Sequence, residues 1–213
     1  MDPKEPFVIT ISREIGSGGH TIGQILADKL NTPYYDKDII RALETKFNLT
    51  AAEIEKLKGE KKKWLADFVQ FVNPVPSHRV LDINSAYARE FNVDVTSADI
   101  YRAESEILKE LAAEGSCVIA GRSGFHVLRN HPNHLHVFIY ASYGNRIRRV
   151  MTKQRLNEES AIELIREIDR ARENYIQRFA FVNRYDAHNY DLVINADGHT
   201  EEQIADLIIS YIG

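Results

Sequence analysis

Apolar positions along the chain fall into short runs and helical stripes that alternate. Phe7 to Ser12 is a short run rich in β-branched residues and predicts a buried strand. It ends at Gly16-Ser17-Gly18-Gly19, and Ile22, Ile25, Leu26 and Leu30 then recur at helical spacing, so the opening unit is strand, glycine loop, helix. Tyr34-Tyr35 predicts a short second strand. Asp36 is placed to cap a helix carrying Ile39, Ile40 and Leu43 on one face. Thr50-Ala51-Ala52-Glu53 has the form of a capping box for another short helix. Trp64 to Val72 reads as an apolar, aromatic helix broken by Pro74 and Pro76.

The second half repeats the alternation. Thr96 to Glu114 predicts a helix stopped by Gly115. Cys117-Val118-Ile119-Ala120 is a continuous apolar run that leads into Gly121-Arg122-Ser123-Gly124. Leu135 to Ala141 predicts a strand, Tyr143 to Lys153 and Glu158 to Arg184 predict helices, and Tyr190 to Ile194 predicts the last strand. Thr200 to Gln203 forms a second capping box, after which Ile204, Leu207, Ile208, Tyr211 and Ile212 make an apolar stripe. Strands that read as unbroken apolar runs and alternate with helices predict an α/β fold, a parallel sheet covered on both faces. Ligands in such sheets bind beyond the carboxyl ends of the strands. Three glycine-rich or polar segments fall there: 16–21, 36–41 and 121–124.

Composition narrows the class. The 213 residues are 44% hydrophobic and 27% charged, ordinary for a globular chain and enough to bury a core without staples. One cysteine, Cys117, excludes an internal disulfide and a cysteine-built zinc site, and points to a reducing, cytoplasmic setting. No run approaches the roughly 18 apolar residues of a membrane span. The first six residues lead straight into a strand and lack the layout of a signal peptide. The formal charge of −4 gives no bulk attraction to membranes or nucleic-acid polymers. The distribution is uneven: residues 146–184 hold nine arginines and Lys153 against six acids, a local +4 that leaves −8 on the rest. Concentrated arginine in an acidic protein suits a small anionic ligand.

The glycine loop suggests which anion. Small residues between a strand and a helix let backbone N–H groups converge, and the helix N-terminus adds partial positive charge, so the loop can cradle phosphate. Against G-x-x-x-x-G-K-[ST], Gly19-His20-Thr21 takes the place of G-K-T. The first glycine then falls at Glu14, His20 stands for the lysine, and Thr21 supplies the hydroxyl that would hold Mg²⁺. A glycine turn made for packing alone explains the loop as well. Trp64, Phe68 and Phe71 read as core or a subunit contact, leaving a homodimer open, and the histidines 126, 131, 134 and 136 do not form a metal-binding pattern.

Taken in order, Gly16–Thr21, Tyr35-Asp36 with Arg41, Gly121-Arg122-Ser123-Gly124, Arg166-Glu167-Ile168-Asp169-Arg170-Ala171-Arg172 and Tyr190–Asn195 make the chain resemble the cytidylate kinase-like family of P-loop kinases, from about Phe7 to Ile212. The resemblance implies one kinase domain over 1–213, a three-layer fold with an acceptor lobe at about 36–95 and an arginine-rich lid at about 146–184. It implies phosphoryl transfer from ATP, with Mg²⁺, to a nucleoside monophosphate, nominally CMP or dCMP. By the same resemblance Gly16, Ser17, Gly18, Gly19, His20 and Thr21 form the donor-phosphate loop. Asp36, Arg41 and Arg122 face the acceptor, and Arg166, Asp169, Arg170 and Arg172 belong to the catalytic lid.

The sequence departs from that pattern at two points. His20 stands where relatives place Lys or Arg, which makes Arg13 or a lid arginine the substitute cation. The lid continues as Glu173-Asn174-Tyr175, where cytidylate kinases carry a further Asp and Arg. A nucleotide-binding regulator of the same fold, and a kinase for another small molecule, are the alternatives these departures leave.

Overall fold

A computed structural model describes residues 1–36, 38–58 and 95–213 of the chain. The predicted helix over Trp64–Val72, its Pro74–Pro76 break and most of the expected acceptor lobe lie outside the described residues. The strands are β1 (Val8–Arg13), β2 (Tyr34–Tyr35), β3 (Cys117–Ala120), β4 (His134–Tyr140) and β5 (Leu192–Asn195). They form one parallel sheet in the order β2-β3-β1-β4-β5. The register sets Val8 beside both Cys117 and His134; Arg13 stands level with Ile139 of β4, while β3 ends two residues sooner, with Ala120 beside Ile11. From β1 the chain crosses to β2 on one side of the sheet, and from β4 it moves to β5 on the other. The carboxyl ends of β1, β3 and β4 therefore border the crevice where α/β sheets bind ligands.

Both faces are covered, as unbroken apolar strands require. Ile9 and Ile11 of β1 pack with Ile22 and Leu26 of α1 (Gly19–Lys29) and with Ile204 and Ile208 of the C-terminal helix α8 (Glu201–Ile212). Alternate strand residues point the other way. Val8, Cys117 and Ile119 meet Ile39 and Leu43 of α2 (Asp38–Phe47), Ile54 of α3 (Ala51–Leu57) and Ile100 and Leu108 of α4 (Ser97–Glu114). The capping boxes at Thr50 and Thr200 form as the sequence predicts, and Thr96 makes a third with Asp99. A four-residue helix α5 (Gly124–Val127), which periodicity is too short to reveal, follows β3.

Two helices stand beside the sheet. Ile147 and Val150 of α6 (Tyr143–Gln154) pack on Leu164, Ile165 and Ile168 of α7 (Glu158–Ala180) in a cluster of their own. The far end of α7 joins a second small cluster through Ile176, Ala180 and Phe125. The helix stops at Ala180, four residues before the predicted end, because Phe181 adopts a left-handed conformation (φ 58°). That turn carries the chain back to the sheet, where Arg184 is buried. Among the described residues no helix is long and apolar enough to cross a membrane.

Candidate active site

The glycine loop sits between β1 and α1. Gly18 caps α1 with φ 89° and Gly16 has φ 81°, so both use backbone that side chains disfavour. Space also demands glycine here. A Cβ on Gly16 would lie 2.8 Å from the Arg146 carbonyl oxygen, and one on Gly19 would lie 2.6 Å from Arg13 Cβ. The Ser17 hydroxyl donates to the Glu14 carbonyl at 2.9 Å, closing the loop on itself.

A buried ion network holds this loop from behind. Arg146 of α6 donates through Nε to the Ile15 carbonyl at 2.8 Å, pairs with Glu14 at 3.2 Å through Nη1 and with Asp169 of α7 through Nη2. Asp169 accepts the Ile15 N–H at 3.2 Å. Burial pushes the Glu14 carboxyl up, and Arg146 offsets part of that shift. Asp169, expected in the lid's catalytic set, is buried and thus spans an arginine and the loop backbone. Arg172, one turn further along α7, reaches the Arg13 carbonyl at 3.1 Å. Arg166 and Arg170 lie exposed on the same helix.

Two residues expected on the donor side, Arg13 and His20, converge on Asp36, expected on the acceptor side. Arg13 Nη2 donates to both of its oxygens, at 3.1 and 3.2 Å, and His20 Nδ1 lies 2.9 Å from Oδ2. Burial opposes ionisation of Asp36, but Arg13, the His20 hydrogen bond and Arg122 outweigh it and hold the carboxyl well below the usual range. His20 is also touched by the Tyr34 hydroxyl at 3.0 Å, so the residue aligned with a phosphate-binding lysine is tied to the end of β2. Arg13 likewise spends its guanidinium on Asp36. A Cβ on Gly121 would stand 2.0 Å from Arg13 Nη1, which is why the residue after β3 is glycine.

Gly121, Arg122 and Ser123 are left-handed in succession (φ 75°, 57° and 55°). Two non-glycine residues in that region cost about 1–2 kcal/mol each, strain of the kind that collects at functional sites. The turn aims Arg122 at Glu104 of α4, 3.9 Å away. Glu104 is itself buried; it binds Lys58 at 2.8 Å and accepts the Tyr175 hydroxyl of α7 at 2.7 Å. Arg41 is exposed on α2.

Four residues escape sequence reasoning. Arg149 of α6 lies over the loop, its Nη2 3.0 Å from where a Gly18 Cβ would be, and it pairs with Glu201. Lys153 Nζ lies 3.4 Å from the Thr21 hydroxyl. Arg184 donates to the Arg13 carbonyl at 2.8 Å, between the rings of Phe138 and Tyr185. Glu104 is the fourth. The only signal for the cations was the local arginine excess, which does not say which face each one takes. Among the described residues no cluster of three or more His, Cys, Asp or Glu could hold a metal ion.

Residues 8–198 match the family described as the cytidylate kinase-like family, and the chain belongs to it. It is 22% identical over 205 residues to the cytidylate kinase of Sulfolobus acidocaldarius, covering 96% of this chain and 93% of that protein. It is 31% identical over 153 residues to a uronate isomerase of Corynebacterium glutamicum, over 71% of this chain but 29% of that protein, so it spans under a third of that relative's length. Among solved structures, an uncharacterized protein from Eubacterium ventriosum aligns at TM-score 0.68 and 22% identity, over 97% of this chain and 98% of the other. Shikimate kinase from Bacteroides thetaiotaomicron aligns at TM-score 0.55 and 17% identity, over 97% and 98%. The fold is that of the P-loop kinases, a parallel sheet with helices on both faces.

Proposed function

We propose that this member of the cytidylate kinase-like family transfers the γ-phosphoryl group of ATP to a nucleoside monophosphate, nominally CMP or dCMP, in the cytoplasm. One observation carries the reading. The glycine loop at the head of α1 and the arginine helix α7 are in direct contact, through Asp169 on the Ile15 N–H and Arg172 on the Arg13 carbonyl, while Asp36 and Arg122 lie beside the same strand ends. Phosphoryl transfer needs alignment of two substrates and cations around the moving group, and little covalent chemistry from the protein.

In this reading residues 16–21 cradle the donor phosphates with backbone N–H groups and the N-terminus of α1. Arg41 and Arg122 bind the acceptor phosphate, with Asp36 setting the direction of the neighbouring cations. Arg166, Arg170 and Arg172 belong to a lid over residues 146–184, with Asp169 anchoring its helix to the loop; the acceptor lobe takes up about 36–95. An acceptor phosphate oxygen attacks the γ-phosphorus, the bond to the bridging oxygen breaks, and ADP leaves with the electron pair.

The cradle fits a bound Mg²⁺ nucleotide. Its three glycines let the loop backbone lie close against Arg146, Arg149 and Arg13, which sets cations beside it, and Thr21 offers one hydroxyl. Magnesium takes most of its ligands from phosphates and water, so it needs no protein cage. When bound, it neutralises charge on the β- and γ-phosphates.

A second reading rests on His20. Its ring is engaged by Asp36 and Tyr34 instead of standing free for the donor phosphates, which favours a nucleotide-binding regulator with little turnover. One assay separates the two, and also a kinase for another small molecule. The protein is incubated with Mg·ATP and a panel of monophosphates and phosphorylatable alcohols, and ADP release is followed. ADP formed with CMP or dCMP supports the kinase. Nucleotide binding without ADP supports the regulator, and turnover confined to non-nucleotides overturns the proposed acceptor.

A further inference from the structure

We infer that Lys153, on α6, supplies the donor-phosphate cation that the glycine loop lacks; this rests on the loop's reading as a nucleotide-phosphate cradle. Between Glu14 and Thr21 the chain carries neither Lys nor Arg. Nor is there room for one at the first residue of α1. A side chain on Gly19 would start 2.6 Å from Arg13 Cβ, so Arg13 fills the place where a long side chain would leave the loop. Two basic side chains next to the loop are committed elsewhere: Arg13 to Asp36, and His20 to Asp36 and Tyr34.

The missing charge comes from the neighbouring helix. Arg146, Arg149 and Lys153 stand at i, i+3 and i+7, one stripe of α6, and the stripe runs along the loop. Arg146 meets Gly16, Arg149 meets Gly18, and Lys153 meets Thr21. Arg146 is matched by Glu14 and Asp169, and Arg149 by Glu201. Lys153 has no carboxylate partner among the described residues. Its ammonium donates to the Thr21 hydroxyl at 3.4 Å, in the first turn of α1, where the free N–H groups of the helix collect. A lysine is a compact charge on a flexible stem, able to follow a phosphate as it binds. The usual cation of the loop has thus moved from the loop to a helix packed against it.

The test is nucleotide binding by titration calorimetry, with Mg²⁺ present, using ADP, AMP and adenosine as probes. Lys153→Met is expected to weaken ADP about tenfold or more and AMP less than twofold, because a charge-assisted contact to the outer phosphate is lost. Lys153→Arg should recover most of the ADP affinity. Lys109→Met, on the far surface of α4, controls for the loss of one charge and should bind like the wild type. If the wild type binds none of the probes, the cradle reading falls and takes this inference with it. If the wild type binds ADP and Lys153→Met binds it equally well, the cradle stands and Lys153 is wrong. An equal loss for ADP and AMP, or a lowered melting temperature that Lys153→Arg does not restore, assigns Lys153 to packing and overturns the proposal.

Discussion

Arg146→Met should be among the costliest single changes in this protein, at about 4–5 kcal/mol of folding stability. One buried cation serves Glu14, Asp169 and the Ile15 carbonyl together. Breaking a buried pair costs about 3–5 kcal/mol. The upper end applies because two carboxylates lose the same counter-ion. Methionine replaces most of the arginine stem, so a cavity adds little. Asp169→Asn removes less. An Asn oxygen can still accept the Ile15 N–H, and Arg146 and Glu14 remain a matched pair, so the expected cost is about 1–2 kcal/mol.

Urea unfolding followed by far-UV circular dichroism measures both, and the ordering is the test. The pH dependence is a second one. In Arg146→Met one of the two facing carboxyls is pushed above its unfolded pKa, so its contribution is present below that value and lost as pH rises through the folded one. The deficit against wild type should therefore grow from pH 5 to pH 8. An Arg146→Met variant less than about 1 kcal/mol below wild type, an Asp169→Asn variant that loses more than Arg146→Met, or a flat pH profile would refute this account of the buried ion network.

Other substitutions probe the acceptor side. Gly121→Ala forces a Cβ against Arg13 at a positive φ, whereas Gly198→Ala meets open space at φ 78°, so Gly121→Ala should lower the melting temperature clearly more, by the equivalent of about 1–2 kcal/mol. Asp36→Asn tests the Arg13 pair: the depressed carboxyl contributes stability above its unfolded pKa of about 3.9, and that contribution fades as pH falls. The stability gap between wild type and Asp36→Asn should thus be widest near neutrality and close towards pH 2, and a gap that widens in acid contradicts the pairing. Glu104→Gln strands the buried Lys58 and should cost about 3 kcal/mol, with Lys58→Met in the same chain recovering much of it; denaturant titration reads both.

The elements were legible because each has a strong local cause. Ile9 and Ile11 lie in an apolar run bounded by glycine, and Thr50 and Thr200 carry their capping partners three residues on. The limits of α7 were not. Its polar and apolar spacing continues to Arg184, but the helix ends at Ala180, where Phe181 turns left-handed, and Arg184 beyond the turn donates to the carbonyl of Arg13, a contact 171 residues away in sequence. The left-handed run at Gly121–Ser123 was equally hidden, since Arg and Ser give no local sign of it.

By itself, then, the amino-acid order determined the alternation of strands and helices, the glycine loop between the first two, and an arginine-rich region near the C-terminal third. Those are properties of neighbouring residues: burial periodicity, backbone freedom and side-chain charge. Which charges meet was decided only in three dimensions. Packing of α6 and α7 beside the sheet matched Arg146 to two acids, set Lys153 at Thr21, and turned Asp169 inward while Arg166 and Arg170 stayed exposed. Charges act through space over a few ångströms, and the chain distance between partners such as Ile15 and Asp169 says nothing about that separation.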